Sequence, residues 1–345
     1  MPTRIERRPF IDILTYPSLW YIQMKKHALI WALMCMFPVL SSSGAFPFEG
    51  PLQVKNQFPL FLILNAPYLE RASYEDSFSA TLSYSSVFMV KNSPEWSVNL
   101  DMELAELNFR LRKNMSDVVQ LGIDIPFLSF NSGFMDNFLS SYHNAFGFSD
   151  YGRSSRPSNE FLYEVRKNGL IIIQGEGGSV GIGDIRLSAK KVILNNDPVV
   201  SLQATIELPT GNASKGYGSG GVDAGLSLLM DKKISEKIEA YFNLGVVFPG
   251  NLKGHETVTL KNSIYGGAAV EAGLWEHISL LGQVVFQSSP FPETGISSID
   301  RISALLSIGG RYTSGKNSFE ISLTEDPNTA GAPDFTVTIA FKSHL

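Results

Sequence analysis

The sequence predicts an all-β protein, a transmembrane antiparallel up-and-down β-barrel whose apolar side chains face lipid. Three observations carry this prediction. Segments of strand length alternate apolar and polar residues, which is the pattern of a sheet with two different faces. These segments run roughly 9–14 residues, whereas soluble strands usually run about 5–6. Short and long connections also alternate along the chain, as they do in bacterial outer-membrane barrels.

The amino-terminal region predicts a secretory signal peptide. Two lysines follow Met24, an apolar stretch covers Ala28 to Leu40, and small residues continue to Ala45. This is the order of charged, apolar and small-residue regions in a cleaved signal, with Met24 as an alternative start. The predicted organisation has three parts, a signal peptide over 1–45, a periplasmic or lumenal segment over 46–76, and an outer-membrane barrel over 77–345.

Composition excludes several classes of protein. Charged residues make up 18% of the chain, against roughly 25% in an average soluble protein, and the formal net charge is −5. A nucleic-acid-binding protein would carry a basic surface instead. Outside 28–40 the longest apolar run is Phe58 to Leu64, far short of the ~20 residues that a membrane-spanning helix needs. The single cysteine, Cys35, lies in the predicted signal, and the histidines lack zinc spacing, so we predict no metal and no cofactor.

Applied along the chain, the period-two alternation predicts fourteen strands, and an even number is what bacterial single-chain barrels require. Two of these segments, 159–166 and 170–175, are short, so twelve strands is the alternative. The predicted strands are 77–90, 95–112, 117–129, 159–166, 170–175, 180–194, 199–209, 221–232, 236–249, 260–275, 278–289, 299–313, 318–325 and 334–341.

The polar phase of the predicted strands points into the barrel and carries charges of both signs. Such a mixture favours an interior salt-bridge network, and the alternative is the lining of a narrow polar conduit. A barrel of this size is too small for a wide porin channel unless its loops stay clear of the lumen. The predicted lumen-lining residues are Asp101, Glu103, Arg110, Arg186, Lys190, Glu207, Glu239, Glu271, Arg301 and Arg311.

One long connection, within 133–147, contains a helical pattern. Its aromatic residues recur at every fourth position and predict a short helix in an extracellular loop, with one apolar stripe on the barrel mouth. The stripe consists of Phe134, Phe138, Tyr142 and Phe146. The opposite face carries the residue types of a hydrolase triad, namely Asp136, Ser140 and His143. Because a helix presents these side chains side by side, a relay between them is awkward and we predict no catalysis. A lid or plug that contacts a transported ligand is a further alternative for this loop.

Several segments resemble a known family. The most specific one is GFMDNFLSSYHNAFGFSDYGRSSRPSNEFLYEV at 133–165, and the flanking pieces at 100–127, 181–191 and 202–211 fit the same pattern. Together they resemble domain-of-unknown-function family 3187, a family of uncharacterised Gram-negative outer-membrane proteins. The resemblance implies a secreted β-barrel of unassigned activity, and it implies no catalytic or ligand residues.

The function predicted from these features is the passage of a small or hydrophobic solute across the bacterial outer membrane, as in porin-like barrels. The alternatives are an outer-membrane lipid hydrolase that uses His143 with a nearby serine, and a structural barrel with a filled lumen. The predicted partners are outer-membrane lipid, the solute, and the barrel assembly machinery, but no nucleic acid. Assembly machinery would read the alternating carboxyl-terminal strand, although this chain ends in Leu345 rather than the usual aromatic residue.

Overall fold

The computed structural model describes residues 46–116, 118–135, 141 and 156–345, so the signal peptide predicted over 1–45 lies outside it. Seventeen strands are present in this part of the chain, and fifteen of them join into one sheet. In chain order the strands are β1 (Ser77–Asn92), β2 (Trp96–Ser116), β3 (Val119–Asn131), β4 (Leu162–Lys167), β5 (Leu170–Gln174), β6 (Ser179–Ile182), β7 (Ile185–Asn195), β8 (Val199–Leu208), β9 (Asp223–Ser235), β10 (Ile238–Phe248), β11 (Leu252–Lys253), β12 (Thr257–Val258), β13 (Ser263–Trp275), β14 (Ile278–Gln287), β15 (Ser303–Ser314), β16 (Asn317–Glu325) and β17 (Phe335–His344).

The large sheet closes on itself. β1 pairs with β17, and β2 pairs with both β1 and β3, so an antiparallel ladder runs around a complete ring. Closure leaves the ring itself without a free edge, which a barrel needs where no water can satisfy its backbone. The fold is therefore the predicted all-β antiparallel barrel. Within the described residues its ring contains twelve strands, which are β1, β2, β3, β7, β8, β9, β10, β13, β14, β15, β16 and β17.

Twelve is the lower of the two strand counts that the sequence allows, and the length of β2 explains why. β2 has 21 residues and β3 has 13, so β2 continues beyond the end of β3. There β4 pairs with Trp96–Asp101 of β2, and β5 pairs with β4, which extends the sheet without entering the ring. β6 pairs with the end of β3 and is separated from β7 by Gly183 and Asp184. The count of fourteen treated the β4–β5 hairpin as two wall strands.

The two ends of the ring differ in their connections. At the tight-turn end, which also holds Ser77 of β1 and His344 of β17, the strands are joined through 117–118, 196–198, 236–237, 276–277 and 315–316. At the long-loop end the connections are 132–161, 209–222, 249–262, 288–302 and 326–334, together with the short link 93–95. This division into tight and long connections is typical of outer-membrane barrels.

Apolar side chains point outward from the ring and polar side chains point inward. On β10, Leu244 is 63% exposed whereas its neighbour Asn243 is 4% exposed. Leu202 on β8 and Leu226 on β9 are exposed in the same way. A sandwich or soluble barrel would place its apolar face inside. The outer surface of this ring instead suits the hydrocarbon of a bilayer.

Helices are short in the described part of the chain. Helix α1 covers Pro59–Leu62, helix α2 covers Ser297–Asp300, and a 3₁₀ helix covers Ala213–Lys215. None of these helices is long and apolar enough to span a membrane. The helix predicted within 133–147 falls mostly outside the described residues.

Residues 46–76 lie inside the ring and are called the plug. Nearly all plug side chains from Glu49 to Leu69 are buried. Toward the long-loop end, α1 packs into an apolar cluster with residues of β2, β3, β4 and β5. The rest of the plug follows the polar inner surface of the wall, where its main chain is hydrogen-bonded to charged side chains.

Candidate functional site

Charged side chains of the lumen bind the main chain of the plug, and Arg311 on β15 shows this most fully. Its Nη1 donates to the carbonyl oxygen of Gly50 at 2.9 Å, and its Nη2 donates to that of Pro51 at 3.1 Å. Glu271 pairs with Arg311 at 2.8 Å and accepts the N–H of Gly50 at 3.2 Å. Glu320 pairs with Arg311 at 2.7 Å. One buried guanidinium therefore satisfies two carbonyls while two carboxylates compensate its charge.

Glu106 on β2 binds two side chains of the plug. Lys55 Nζ lies 2.8 Å from Glu106 Oε1, and the Gln57 amide donates to Glu106 Oε2 at 2.6 Å. The Lys55 and Glu106 side chains are only 7% and 2% exposed. Because an isolated buried charge is costly, each of these two charges depends on the other.

Tyr68 of the plug is surrounded by cations from the wall and from the plug itself. The guanidinium carbon of Arg110 lies 4.3 Å from the centroid of the Tyr68 ring. Lys55 and Arg186 approach the same ring at 5.3 Å and 6.0 Å. The Asn108 amide donates to the Tyr68 hydroxyl at 2.7 Å. Cation–π contacts and one hydrogen bond thus fix this ring in the middle of the lumen.

Asn243 and Asp231 bind the plug backbone as a neighbouring strand would. The N–H of Glu70 donates to Asn243 Oδ1 at 2.7 Å, and Asn243 Nδ2 donates to the carbonyl oxygen of Glu70 at 3.0 Å. Asp231 accepts the N–H of Ala72 at 2.8 Å and that of Ser73 at 2.9 Å. These contacts supply the partners that an extended buried segment otherwise lacks.

Two cations on β7 bind three further plug carbonyls. Arg186 Nη2 donates to the carbonyl oxygen of Ala66 at 2.5 Å. Lys190 Nζ donates to the carbonyl oxygens of Arg71 at 2.9 Å and Ser73 at 2.8 Å. The wall therefore contacts the plug along its whole length rather than at one hinge.

The lumen toward the long-loop end is apolar and aromatic. Phe61 of α1 stacks on Phe291 with ring centroids 6.3 Å apart, and Trp96 meets Phe291 edge-on at 6.0 Å. Phe130 stacks on Tyr217 at 4.8 Å. The lumen is thus closed by apolar packing at one end and by polar contacts with the plug at the other.

Among the described residues, two small cavities lie between the plug and the wall on the side of β7 and β8. The outer cavity is bounded by Lys55, Leu62, Ile63, Glu106, Asn108, Asp124, Pro126, Leu128, Gly183, Asp184, Arg186, Glu207 and Tyr217. The inner cavity is bounded by Asn65, Pro67, Tyr68, Glu70, Arg112, Arg186, Ser188, Gln203, Thr205, Gly225, Leu226, Ser227, Val247 and Tyr265. Arg186 borders both cavities.

Of the ten predicted lumen-lining residues, eight are buried, one is half-buried and one is exposed. The buried ones are Asp101, Glu103, Arg110, Arg186, Lys190, Glu207, Glu271 and Arg311. Glu239 is half-buried and accepts a hydrogen bond from the Tyr241 hydroxyl at 2.7 Å. Arg301 is exposed and follows α2, because β15 begins at Ser303 and not near 299 as predicted. Arg186 pairs with Glu207 and Arg311 pairs with Glu271. Several of these charged residues also bind the plug, which the alternation of the strands did not indicate.

Most of the predicted loop residues cannot be placed. The hydrolase-type residues Asp136, Ser140 and His143 lie outside the described residues. The same holds for Phe138, Tyr142 and Phe146 of the aromatic stripe. Phe134 is described, and it is 71% exposed with its ring stacked on Tyr84 at 5.6 Å.

The plug side chains that contact the wall were not among the predicted site residues, although one signal pointed to them. The run from Phe58 to Leu64 is the longest apolar run after the predicted signal peptide, and it lacks strand alternation. An apolar segment that is neither a strand nor a membrane span needs a buried place of its own. In this barrel only the lumen offers one, because the outer face is already apolar.

One group of side chains has the ligand types and spacing of a metal site. It consists of Glu49, Glu75 and His344 at the tight-turn end. Lys342 Nζ lies between them, 3.1 Å from Glu49 Oε2 and 2.5 Å from Glu75 Oε2. The lysine already supplies the positive charge that a cation would bring, so the geometry is that of an ion-pair cluster.

Comparison with solved structures supports the barrel assignment. The chain resembles the COG4313 outer-membrane channel from Pseudomonas putida F1 at 13% identity and a TM-score of 0.54, covering 81% of this chain and 98% of that one. It also matches the NanC porin at 7% identity and a TM-score of 0.45, covering 78% of this chain and 100% of that one. A third match is the toluene transporter TodX from P. putida, at 8% identity and a TM-score of 0.38, covering 79% and 91%.

At this level of identity, the first likeness shows the fold alone and the other two carry no further argument. None of the curated proteins matches this sequence. Over residues 28–344 the chain matches a family described as protein of unknown function DUF3187, and it therefore belongs to the DUF3187 family.

Proposed function

We propose that this protein is a bacterial outer-membrane channel for a small or hydrophobic solute, held closed by its plug. The observation that carries the proposal is the lumen itself. A ring with an apolar outer face encloses a polar interior that is filled by a separate segment of the chain, not by side chains of the wall alone. If the plug can move, a lumen filled in this way is a channel in its closed state.

The apolar layer favours a solute with hydrophobic character. Phe61, Trp96 and Phe291 stand toward the long-loop end, so a solute entering there meets aromatic rings before it meets charges. Ligand sites are typically lined by apolar and aromatic side chains with a few polar groups that fix orientation. The outer-membrane channel from Pseudomonas putida F1, whose fold this chain shares, agrees with this class of function.

Single-channel conductance in planar bilayers tests the proposal. We expect the wild-type protein to conduct rarely and weakly, and a variant that lacks 46–70 to conduct far more. Leu244→Val, an outward-facing change, serves as the matched control and should conduct like the wild type. Silence of both the wild type and the plug-deleted protein, each shown to be folded, would contradict a channel.

A structural barrel is the second candidate, and the extent of the plug contacts favours it. Charged side chains on β7, β9, β13 and β15 all bind plug main chain, which is more than a loosely held gate requires. The two candidates differ in the wild type, because a structural barrel never conducts while its plug is intact. Rare conductance events of the wild-type protein would therefore support the channel over the structural barrel.

We infer that the protein is not a hydrolase. Lipid and ester hydrolysis by the purified wild type, compared with His143→Ala, tests this inference. We expect no turnover from either protein. Robust wild-type turnover that is lost in the variant would assign catalysis to His143, since removing one member of a catalytic set abolishes most activity.

A further inference from the structure

We propose that solute moves beside the plug, along the inner faces of β7 and β8, and that Arg186 is the side chain that closes this route. The inference rests on the proposed channel function and specifies its path. The alternative that it opposes is expulsion of the whole plug.

Expulsion would break contacts on every side of the lumen. The plug is bonded to Arg311 near its start, to Glu106 in its middle and to Asp231 near its end. Each of these wall groups is charged and buried, and each would lose partners at the same moment. Leaving buried charges unpaired is among the costliest changes that a protein can make. A route that leaves residues 46–70 of the plug in place keeps the Arg311 and Glu106 contacts and avoids most of this cost.

The two cavities follow one another along a single strip of wall. The ladder pairs Arg186 with Glu207, and two residues farther toward the tight-turn end it pairs Ser188 with Thr205. The first pair borders the outer cavity and the second borders the inner cavity. Because successive inward-facing positions in a strand are two residues apart, the cavities are neighbours on the barrel axis.

Arg186 stands at the boundary between them. Its guanidinium is anchored on the plug by the Ala66 carbonyl at 2.5 Å and on the wall by Glu207 at 3.4 Å. Its Nε is buried and has no hydrogen-bond partner within the described residues. A long, partly satisfied side chain can swing without any shift of backbone. Such a movement would join the two cavities.

Beyond the inner cavity the plug crosses the strip once more. Lys190 Nζ holds the Arg71 and Ser73 carbonyls there, and the Ser201 hydroxyl donates to the Ala72 carbonyl at 2.6 Å. Opening of the route therefore requires the displacement of only three plug residues, 71–73, which breaks their hydrogen bonds with Asp231. The rest of the plug keeps its contacts with Glu106 and Arg311.

The lining selects a small uncharged solute that has both an apolar part and a hydrogen-bonding group. In the outer cavity Leu62 and Ile63 face the wall, and in the inner cavity Gln203 and Thr205 offer amide and hydroxyl groups. Most charges along the strip are paired, Arg186 with Glu207, Lys55 with Glu106 and Asp124 with Arg112, while Asp184 accepts main-chain N–H groups. Neither an anion nor a cation is therefore favoured in the closed route.

Conductance of two arginine variants distinguishes the route from plug expulsion. Arg186→Ala should raise the mean conductance several-fold and shift ion selectivity toward cations, because Glu207 loses its partner. Arg311→Ala is the comparison variant. It removes a buried arginine that binds plug main chain from β15, six strands away around the ring, so it loosens the plug without opening the strip between β7 and β8 and should raise conductance clearly less than Arg186→Ala.

Equal or greater conductance of Arg311→Ala would overturn the route in favour of expulsion. If the wild type conducts and Arg186→Ala has the same conductance, the proposed route is wrong, but the channel function is not contradicted. If neither the wild type nor any variant conducts, including the plug-deleted protein, both the channel function and the proposed route are wrong. Heat-modifiable migration on gels confirms folding, and Arg186→Gln replaces Arg186→Ala if the latter does not fold.

Accessibility of single cysteines gives an independent test in a Cys35→Ser background. A small negatively charged methanethiosulfonate should reduce the current at least two-fold at Ser188→Cys, which borders the inner cavity. The same reagent should leave Ser307→Cys unchanged, since Ser307 is an inward-facing serine on β15 that hydrogen-bonds to Thr324 at 2.7 Å. Equal block at both positions, or block at Ser307→Cys alone, would contradict the proposed path.

Discussion

Lys55 of the plug and Glu106 of β2 form a buried ion pair of 2.8 Å in the middle of the lumen. Two parts of the chain that are 51 residues apart thus depend on each other for their charge. A buried pair of this kind contributes little compared with an apolar replacement, but the loss of one partner is expensive. The pair therefore makes correct seating of the plug a condition for a stable barrel.

Removal of one partner should loosen the plug. We expect Glu106→Gln to lower the free energy of unfolding by about 3–5 kcal/mol, because Lys55 would remain charged and buried. The double variant Lys55→Met/Glu106→Gln should lose less than Glu106→Gln alone. Urea unfolding in detergent micelles measures the free energy, and limited proteolysis of 46–76 reports the plug. A double variant that loses the sum of the two single changes would show that the residues do not interact.

A charged substitution on the outward face of β10 should lower the stability of the barrel. Leu244 is near the middle of the strand and 63% exposed, so we expect Leu244→Arg to cost about 2–4 kcal/mol of folding free energy in liposomes. Leu244→Ala is the control, since it shortens the side chain without adding charge. If Leu244→Arg folded as well as Leu244→Ala, this face would not contact lipid.

The barrel was predictable from the sequence because its signal is local. The alternation that places Leu244 outside and Asn243 inside needs only neighbouring residues. The strand count was less certain, because nothing in the sequences of β4 and β5 indicates that β2 extends beyond the end of β3. That relation depends on two strand ends far apart in the chain.

The contents of the lumen were harder to predict. Arg311 and Glu271 were predicted to line it, but their contacts with Gly50 join segments more than 200 residues apart. Main-chain acceptors have no sequence signature, because every residue carries a carbonyl. The error at Arg301 is of a different kind. The alternating pattern of β15 was extended to residue 299, which lies before the true start of the strand at Ser303.

The beginning of the long connection after β3 depends on a glycine. Gly133 has a φ of +77°, and a Cβ there would overlap the Glu103 carboxylate, which accepts the N–H of Phe134 at 2.8 Å and that of Met135 at 2.5 Å. We expect Gly133→Ala to destabilise this turn by more than the ~1–2 kcal/mol of left-handed strain alone. Gly169→Ala is the matched control, with a φ of +79° and open space around the Cβ position. Hydrogen exchange measures each variant at its own turn, 131–135 for Gly133→Ala and 167–170 for Gly169→Ala, and equal effects of the two variants would mean that the Glu103 contact is unimportant.

The connection between β16 and β17 should make stability depend on pH. Asp326 is 6% exposed, and its burial, together with the nearby Asp334 and Glu325 carboxylates, raises its pKa to about 9. An unfolded aspartate titrates near 3.8, so the folded protein binds an extra proton between these values. Stability from this group is therefore complete below about pH 4 and is lost as the pH rises toward 9.

Replacement of Asp326 by asparagine tests this dependence. Asp326→Asn keeps the shape of the side chain and removes its titration, so the decrease in unfolding free energy between pH 5 and pH 9.5 should become shallower. Asp197→Asn is the control, because hydrogen bonding to Lys232 lowers the pKa of Asp197 and that group is ionised across this whole range. Urea unfolding in detergent at several pH values gives the two slopes. If Asp326→Asn and the wild type lost stability equally with pH, the Asp326 carboxyl would not be the group that titrates.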